Sequence, residues 1–286
     1  MSARGRLVLS LLLATGVAAL EFWGGFTARS LALVGDAVHV CMDVFALSIA
    51  LIAAIGAARP ADKRRTFGYG RVEVLGAMFN GTLLLAATAA IVVAAIRRFG
   101  APVEPASATM IWVAAVGLVV NGVVGYVLLH QHERDLNVRA ALFHVLGDAL
   151  GALAVLIGGV AIAFTGAAWI DPVLSLFVAA IIVAGVLRVL RDATRILLEG
   201  VPSSVDVAAL TRGMEGISGV TGLHDLHVWS IGSGSHALSA HVAIDDRRLS
   251  EAAVLLREID RCAQGFGIEH VTIQFECESC PIVVKH

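Results

Sequence analysis

The chain has 286 residues, of which 58% are hydrophobic and only 15% are charged, and its mean hydropathy is +0.83. Soluble domains of this size do not normally have such a composition, so it excludes an ordinary soluble globular protein and indicates one embedded in a bilayer. The formal net charge of -2 gives no indication of a nucleic-acid partner.

Apolar runs of about the 20 residues needed to cross a bilayer recur from the N-terminus and stop near residue 190. They predict six transmembrane helices, at residues 7–26, 31–57, 72–96, 108–129, 140–164 and 168–187. The first run could be read as a signal peptide, but no small-residue cleavage site ends it and a second run follows at once. We therefore predict a six-helix transmembrane domain at residues 1–200.

Positive charge is unequally divided between the two sides of this arrangement. One side carries Arg4, Arg6, Arg59, Lys63, Arg64, Arg65, Arg71, Arg134, Arg139, Arg188, Arg191 and Arg195, and the other carries Arg29, Arg97 and Arg98. Because loops rich in Lys and Arg stay in the cytoplasm, both termini are predicted to be cytoplasmic, at the inner membrane if the cell is bacterial. Cys262, Cys277 and Cys280 are then expected to be reduced, and to bind metal or pack rather than form disulfides.

Residues after Pro202 have the pattern of a small soluble domain. Ser203, Ser204 and Asp206 resemble a helix cap and precede a helical pattern that extends to about residue 216. Runs rich in Val, Ile and Leu predict strands at 220–231, 237–244 and 271–275, with a helix at 249–264. The order α-β-β-α-β predicts a cytosolic α+β domain at residues 201–286. A domain of about 85 residues has a marginal core, so dimerisation or metal binding would help to stabilise it.

Ionisable residues cluster in the second and fifth predicted spans. His39 with Asp43, and His144 with Asp148, each have the spacing HxxxD, which puts both side chains on one face of a helix. Such groups cost a few kcal/mol each at mid-bilayer, so they mark a functional site unless a partner neutralises them. Two facing pairs supply two imidazoles and two carboxylates, which are the ligands and the charge that tetrahedral Zn²⁺ needs.

Other interpretations of these polar residues stay open at this point. The two HxxxD pairs could be polar contacts that hold helices together, although two copies on separate spans favour a metal site. Asp36 lies on the same stripe as His39 and could be an outer ligand, a residue that orients a histidine, or a proton relay; we favour a supporting role. Glu21, Asn80 and Asn121 could line the same interior or make interhelical hydrogen bonds.

Four segments of the sequence, at residues 30–43, 67–73, 136–148 and 224–229, resemble the cation diffusion facilitators. The resemblance covers essentially the whole chain and is closest to bacterial zinc, cobalt and cadmium efflux carriers and animal vesicular zinc transporters. It implies a homodimer of six-helix transporters, each with a ferredoxin-like or metallochaperone-like cytosolic domain, that exchanges a divalent metal for protons by alternating access. It also assigns His39, Asp43, His144 and Asp148 to the transport site, in the combination of members that prefer Zn²⁺ to Cd²⁺.

The resemblance implies two features near the predicted membrane boundary. Arg71 at the start of span three is expected to pair with Glu199 after span six and so link the two domains. Some relatives bind a second metal in the loop between spans two and three, using one Asp and two His. Here the matching positions are Asp62, Arg65 and Tyr69, so we predict that this loop site is absent.

Potential metal ligands also gather in the C-terminal domain. His224, His241 and Glu276 match positions that bind zinc in similar transporters, and Cys277 with Cys280 resembles the terminal cysteine pair of animal members. We predict a Zn²⁺ site here that stabilises the dimer or senses cytosolic zinc, because soluble-domain ligands are remote from the pore.

The predicted function is secondary-active Zn²⁺/H⁺ antiport that exports zinc from the cytoplasm, because protons and metal compete for the same ligands. An enzyme is not predicted, since no HExxH or comparable hydrolase helix is present. The alternatives are a carrier with Co²⁺, Ni²⁺ or Cd²⁺ as cargo and a non-transporting membrane metal sensor. His130 and His132 could gather metal at the cytoplasmic entrance or be ordinary loop histidines.

Overall fold

A computed structural model describes residues 3–57, 61–129, 136–232 and 234–277. The side chains of 3–14, 46–47, 49–57, 127–129, 136–144 and 249 lie outside this description. The predictions for His130, His132 and Cys280, and for the side chain of His144, therefore fall outside the described residues. Contacts divide the chain into two compact units, Met1–Ile49 with Phe79–Val189, and Ala50–Met78 with Leu190–His286.

Six long helices lie where the six spans were predicted. They are α1 (Ala3–Ala28), α2 (Leu31–Ala57), α3 (Gly70–Gly100), α4 (Ser107–Leu129), α5 (Leu136–Thr165) and α6 (Ile170–Leu197). The helical membrane fold is thus confirmed. Most helices extend past the predicted spans, because an apolar run marks only the part that fits hydrocarbon while the hydrogen-bonded helix continues into polar ends such as Arg97 and Arg98. Among the described residues, α3, α4, α5 and α6 are long and apolar enough to cross a membrane.

Small residues let the helices of the first unit pack closely. A Cβ at Gly24 of α1 would collide with Val113 of α4, so only glycine permits this approach. Ala28, Ala32, Leu33, Met110, Val113, Ala114, Val155 and Ile162 form the buried apolar cluster. Large apolar side chains point outward instead, and Phe164 is 87% exposed. An outer surface of this kind fits a lipid solvent better than water.

The C-terminal elements have the predicted order α-β-β-α-β, which is confirmed. They are α7 (Val207–Glu215), β1 (Val220–Gly232), β2 (Ser235–Ile244), α8 (Leu249–Gly265) and β3 (His270–Glu276). The sheet order is β1-β2-β3, with β1 antiparallel and β3 parallel to β2. Asp206 caps α7 by accepting a hydrogen bond from the N–H of Ala209 at 3.1 Å. Residues of both helices and the sheet share one core that includes Leu210, Leu238 and Ile259.

Candidate metal centres

A histidine and two carboxylates converge between α2 and α5. His39 Nε2 lies 3.7 Å from Asp43 Oδ2 and 3.7 Å from Asp148 Oδ1. One ligand atom from each residue lies within 4.8 Å of the others. Two ligands at about 2.0 Å from a tetrahedral zinc are about 3.3 Å apart, so this spacing is close to that of a metal centre. We call His39, Asp43 and Asp148 the helix cluster.

The fourth predicted ligand is on the same helix as Asp148. His144 precedes Asp148 by one turn of α5, so its backbone belongs to the same helix face. Its side chain lies outside the described residues, and its role as a ligand stays a prediction. The other HxxxD pair, His39 and Asp43, has its side chains in contact as the spacing predicts.

Two further carboxyl groups are buried in the first unit. Asp36 and Glu21 are 5% and 1% exposed. Glycines on neighbouring helices make room for both side chains. A Cβ added at Gly151 would lie 3.3 Å from Asp36 Oδ1, and a Cβ added at Gly117 would lie 2.9 Å from Glu21 Oε1. Among the described residues, Glu21 Oε2 has no hydrogen-bond partner. The supporting role of Asp36 remains a prediction, and its position one turn before His39 is compatible with it.

A second group of ligands is assembled by the three strands. His224 on β1 is directly opposite His241 on β2, and their rings are 5.3 Å apart. Glu276 on β3 pairs with Ala243, two residues from His241, so strand alternation brings its side chain to the same face. His224 Nε2 lies 3.0 Å from Glu276 Oε2, and His241 Nδ1 lies 2.9 Å from Glu276 Oε1. We call His224, His241 and Glu276 the strand cluster.

Asp225 is a further residue of this region that the sequence analysis missed. Its Oδ1 lies 2.9 Å from His227 Nε2, and its Oδ2 lies 3.6 Å from His241 Nε2. It can reach both because its φ of 50° is left-handed and the β1 register shifts between His224 and His227. The position of Asp225 between His224 and His227 was the signal available in the sequence. The register shift in β1 has no counterpart in the apolar pattern, so the role of Asp225 was not predicted. Asp225 can orient His241 for metal binding.

The strand cluster fits a divalent metal on its own geometry. The buried Nδ1 of His241 makes no hydrogen bond within the described residues, although it is 2.9 Å from a Glu276 oxygen. A cation would satisfy both atoms, and two imidazoles with one carboxylate are zinc-type ligands. Cys277 follows Glu276 directly and is partly buried. Cys262 packs against the core of the soluble domain, where burial raises the pKa of its thiol.

The expected ion pair at the start of α3 is present. Arg71 Nη2 lies 3.1 Å from Glu199 Oε1, and both side chains are exposed. Asp62 in the preceding loop accepts hydrogen bonds from the Tyr69 hydroxyl and from the N–H groups of Arg64 and Arg65, each at 2.8 Å. The Tyr69 hydroxyl first, then these backbone donors, hold the pKa of Asp62 below its ordinary value. The absence of a loop metal site stays a prediction.

Comparison with known proteins identifies the family. The family model of the cation efflux transmembrane domain matches residues 7–198, and the family model of the cation efflux protein cytoplasmic domain matches residues 202–278. The cadmium, cobalt and zinc/H(+)-K(+) antiporter of Bacillus subtilis is 39% identical, covering 96% of this chain and 89% of its own. Zinc transporter ZitB of Escherichia coli is 38% identical, covering 96% and 88%.

A solved structure, the metal-bound C-terminal domain of the CzcD transporter from Cuprividus metallidurans, is 41% identical over 25% of this chain and 99% of that chain, with a TM-score of 0.23. The two family models together cover most of the sequence, one on the helices and one on the soluble domain. The chain therefore belongs to the cation efflux family, the cation diffusion facilitators, whose members are transporters and not enzymes.

Proposed function

We propose that this chain exports Zn²⁺ from the cytoplasm in exchange for protons, with His39, Asp43, His144 and Asp148 as the transport ligands. The observation that supports this best is the contact of His39 with Asp43 and Asp148 across two membrane helices. Three ionisable groups within one ligand shell are costly in a bilayer interior unless they bind something charged. Two carboxylates would neutralise one dication, so the loaded site carries no excess charge.

Exchange follows from the chemistry of the ligands. A metal binds neutral imidazole and ionised carboxylate, so binding expels protons and protonation expels metal. A site that opens alternately to the two sides would load zinc at the lower proton concentration and release it at the higher one. The relatives named as zinc transporters support zinc as cargo, and the mixed nitrogen and oxygen ligands favour zinc over the softer Cd²⁺.

The soluble domain is proposed to bind a resident Zn²⁺ and to join two copies of the chain. His224, His241 and Glu276 would hold this ion, with Cys277 and Cys280 as additional ligands. The bound ion would supply a cross-link between three strands of a domain whose core is marginal in size. The cytoplasmic family model supports a location of this domain inside the cell, and we propose that both termini are cytoplasmic. The domain boundary near residue 200 is part of the same proposal.

Metal flux into proteoliposomes tests the proposal. Asp148→Ala is expected to abolish Zn²⁺ flux while the purified protein stays monodisperse, because a transport ligand is lost. Asp246→Ala is the matched control, since Asp246 is an exposed aspartate of the soluble domain, and its flux should be unchanged. Near-normal flux in Asp148→Ala would refute the assigned site. Parallel assays with Cd²⁺, Co²⁺ and Ni²⁺ decide the cargo, and wild-type protein without any flux would favour a sensor.

A further inference from the structure

A fully buried aspartate at the start of α6 binds the beginning of α2. Asp171 is 0% exposed. Its Oδ1 accepts hydrogen bonds from the Ser30 hydroxyl at 2.5 Å and the N–H of Ala32 at 3.3 Å, and its Oδ2 accepts from the N–H of Leu31 at 2.9 Å. The first N–H groups of a helix have no partner inside that helix. Asp171 therefore caps α2 from another helix, with a charge that suits the positive end of the helix dipole.

An arginine from the last turn of α3 completes this arrangement. Arg98 Nη1 donates to Asp171 Oδ2 at 2.8 Å and to the backbone oxygen of Arg29 at 2.7 Å. Arg29 lies in the two-residue turn between α1 and α2 and has a φ of 53°, a left-handed conformation that is unfavourable for a residue with a side chain. The hydrogen bond from Arg98 holds that turn. The start of α2, the end of α3 and the start of α6 thus meet at one ion pair, whose carboxylate is fully buried.

Neither Asp171 nor Arg98 belongs to the helix cluster, but Asp171 binds the start of α2, the helix that carries His39 and Asp43. Ala32 and His39 are seven residues apart, or about two turns and 10 Å along α2, and so share one face. A helix is stiff over that length, so the rotation and depth fixed at Ala32 are passed to His39. Buried ion pairs are weak evidence for stability but can specify one packing arrangement over others.

We propose that Asp171, together with Arg98, is a positioning residue for metal transport: it fixes the rotation of α2 so that His39 and Asp43 face Asp148. The proposal rests on the proposed function, because it concerns the same metal site. Asp171 touches neither metal nor proton in this role. Its loss is expected to loosen the site and so weaken metal binding, whereas the rate at saturating metal should change little.

The test measures KM and kcat for Zn²⁺ flux in proteoliposomes of the full-length protein. Asp171→Asn keeps the shape of the side chain and removes its charge. We expect KM to rise about 10- to 100-fold, the range for loss of groups that orient metal ligands, with kcat within a few-fold of wild type. Asp192→Asn, an exposed aspartate of the same helix, is the control and should leave both constants unchanged.

Two further variants keep the proposal falsifiable if Asp171→Asn does not fold. Ser30→Ala removes one donor to Asp171 and should raise KM by a smaller factor. Combining Asp171→Asn with Arg98→Gln removes the unpaired charge and should restore part of the affinity. An unchanged KM in Asp171→Asn or Ser30→Ala, or a fall in kcat alone, would overturn the positioning role. The proposed function would still stand if the positioning role failed, provided that the wild type transports Zn²⁺ and Asp148→Ala does not.

Discussion

The helix cluster and the strand cluster use the same side-chain chemistry in different solvents. In the helix cluster the side chains of His39, Asp43 and Asp148 are 28%, 25% and 14% exposed, and they lie between apolar helices. In the strand cluster His224 is 57% exposed, and the carboxylate of Asp225 lies 3.6 Å from His241. Polar side chains such as those of the strand cluster cost little free energy in water. The helix cluster is costly in a membrane, so its presence is stronger evidence for a function.

The two clusters also differ in what fixes their geometry. Strand register sets the strand cluster, because a slip of one residue would turn every side chain of β2 to the other face. The helix cluster depends on how α2 and α5 are rotated, which local hydrogen bonds do not determine. Tertiary contacts at the helix ends must do so. We therefore expect the helix cluster to be the more sensitive to changes in remote residues.

The largest effect is expected from a matched pair of histidine substitutions. His39→Ala should lower the rate of Zn²⁺ flux more than about 100-fold, since loss of a group that merely orients a ligand already costs about 10- to 100-fold. His241→Ala removes the corresponding ligand of the strand cluster and should lower flux less than about tenfold, because this cluster is proposed to hold a resident ion and not the transported one. Flux is measured in proteoliposomes at equal protein content. Equal losses in the two variants would show that the clusters are not functionally separate.

The sequence was sufficient for the elements and for much of each cluster. HxxxD spacing places His39 beside Asp43 whatever the rest of the fold does, since i and i+4 share a face of any helix. The pairing of α2 with α5 could be inferred only because each helix carries one HxxxD pair, and two such pairs together make the four ligands of a zinc site. In the soluble domain, runs rich in Val, Ile and Leu identified β1, β2 and β3, because these residue types favour strands with a face in the core.

Residues that depend on distant or irregular backbone were not predicted. Asp225 acts through a β-bulge and a left-handed φ, neither of which has a periodic signal. Asp171 looks like an ordinary acidic residue in the first turn of a helix, where it would favour its own helix dipole. Only the structure shows that it caps α2 instead. Arg98 likewise appears as one of two arginines at a helix end.

An intermediate effect is expected when zinc stabilises the soluble domain through the strand cluster. At a free zinc concentration 100 times Kd, binding to the folded state alone contributes about 2.7 kcal/mol, which slows amide exchange by global opening about 100-fold. Amide hydrogen exchange of β1, β2 and β3 in the full-length protein, with zinc and with chelator, measures this effect. Glu276→Gln should remove most of the zinc-dependent protection, whereas His39→Ala should keep it.

Glu269→Gln is the matched control for that measurement, because Glu269 is an exposed glutamate just before β3. It should show the same zinc-dependent protection as the wild type. If zinc protected the strands equally in Glu276→Gln, the strand cluster would be a hydrogen-bond network and not a metal site. The helix cluster would then be a functional metal site and the strand cluster a structural one.

The smallest effect is expected at the exposed ion pair between Arg71 and Glu199. Its side chains are 39% and 64% exposed, so water and salt screen it, and such pairs contribute about 0–1 kcal/mol. Arg71→Ala should therefore change thermal stability and flux only slightly, and the change should vanish at high salt. Exchanging the charges in Arg71→Glu with Glu199→Arg should restore wild-type behaviour. A large loss in Arg71→Ala that the exchange repaired would mean that this contact controls the arrangement of the helices, as we propose for Arg98 and Asp171. The helix cluster would then depend on contacts at both ends of α3 and of α6.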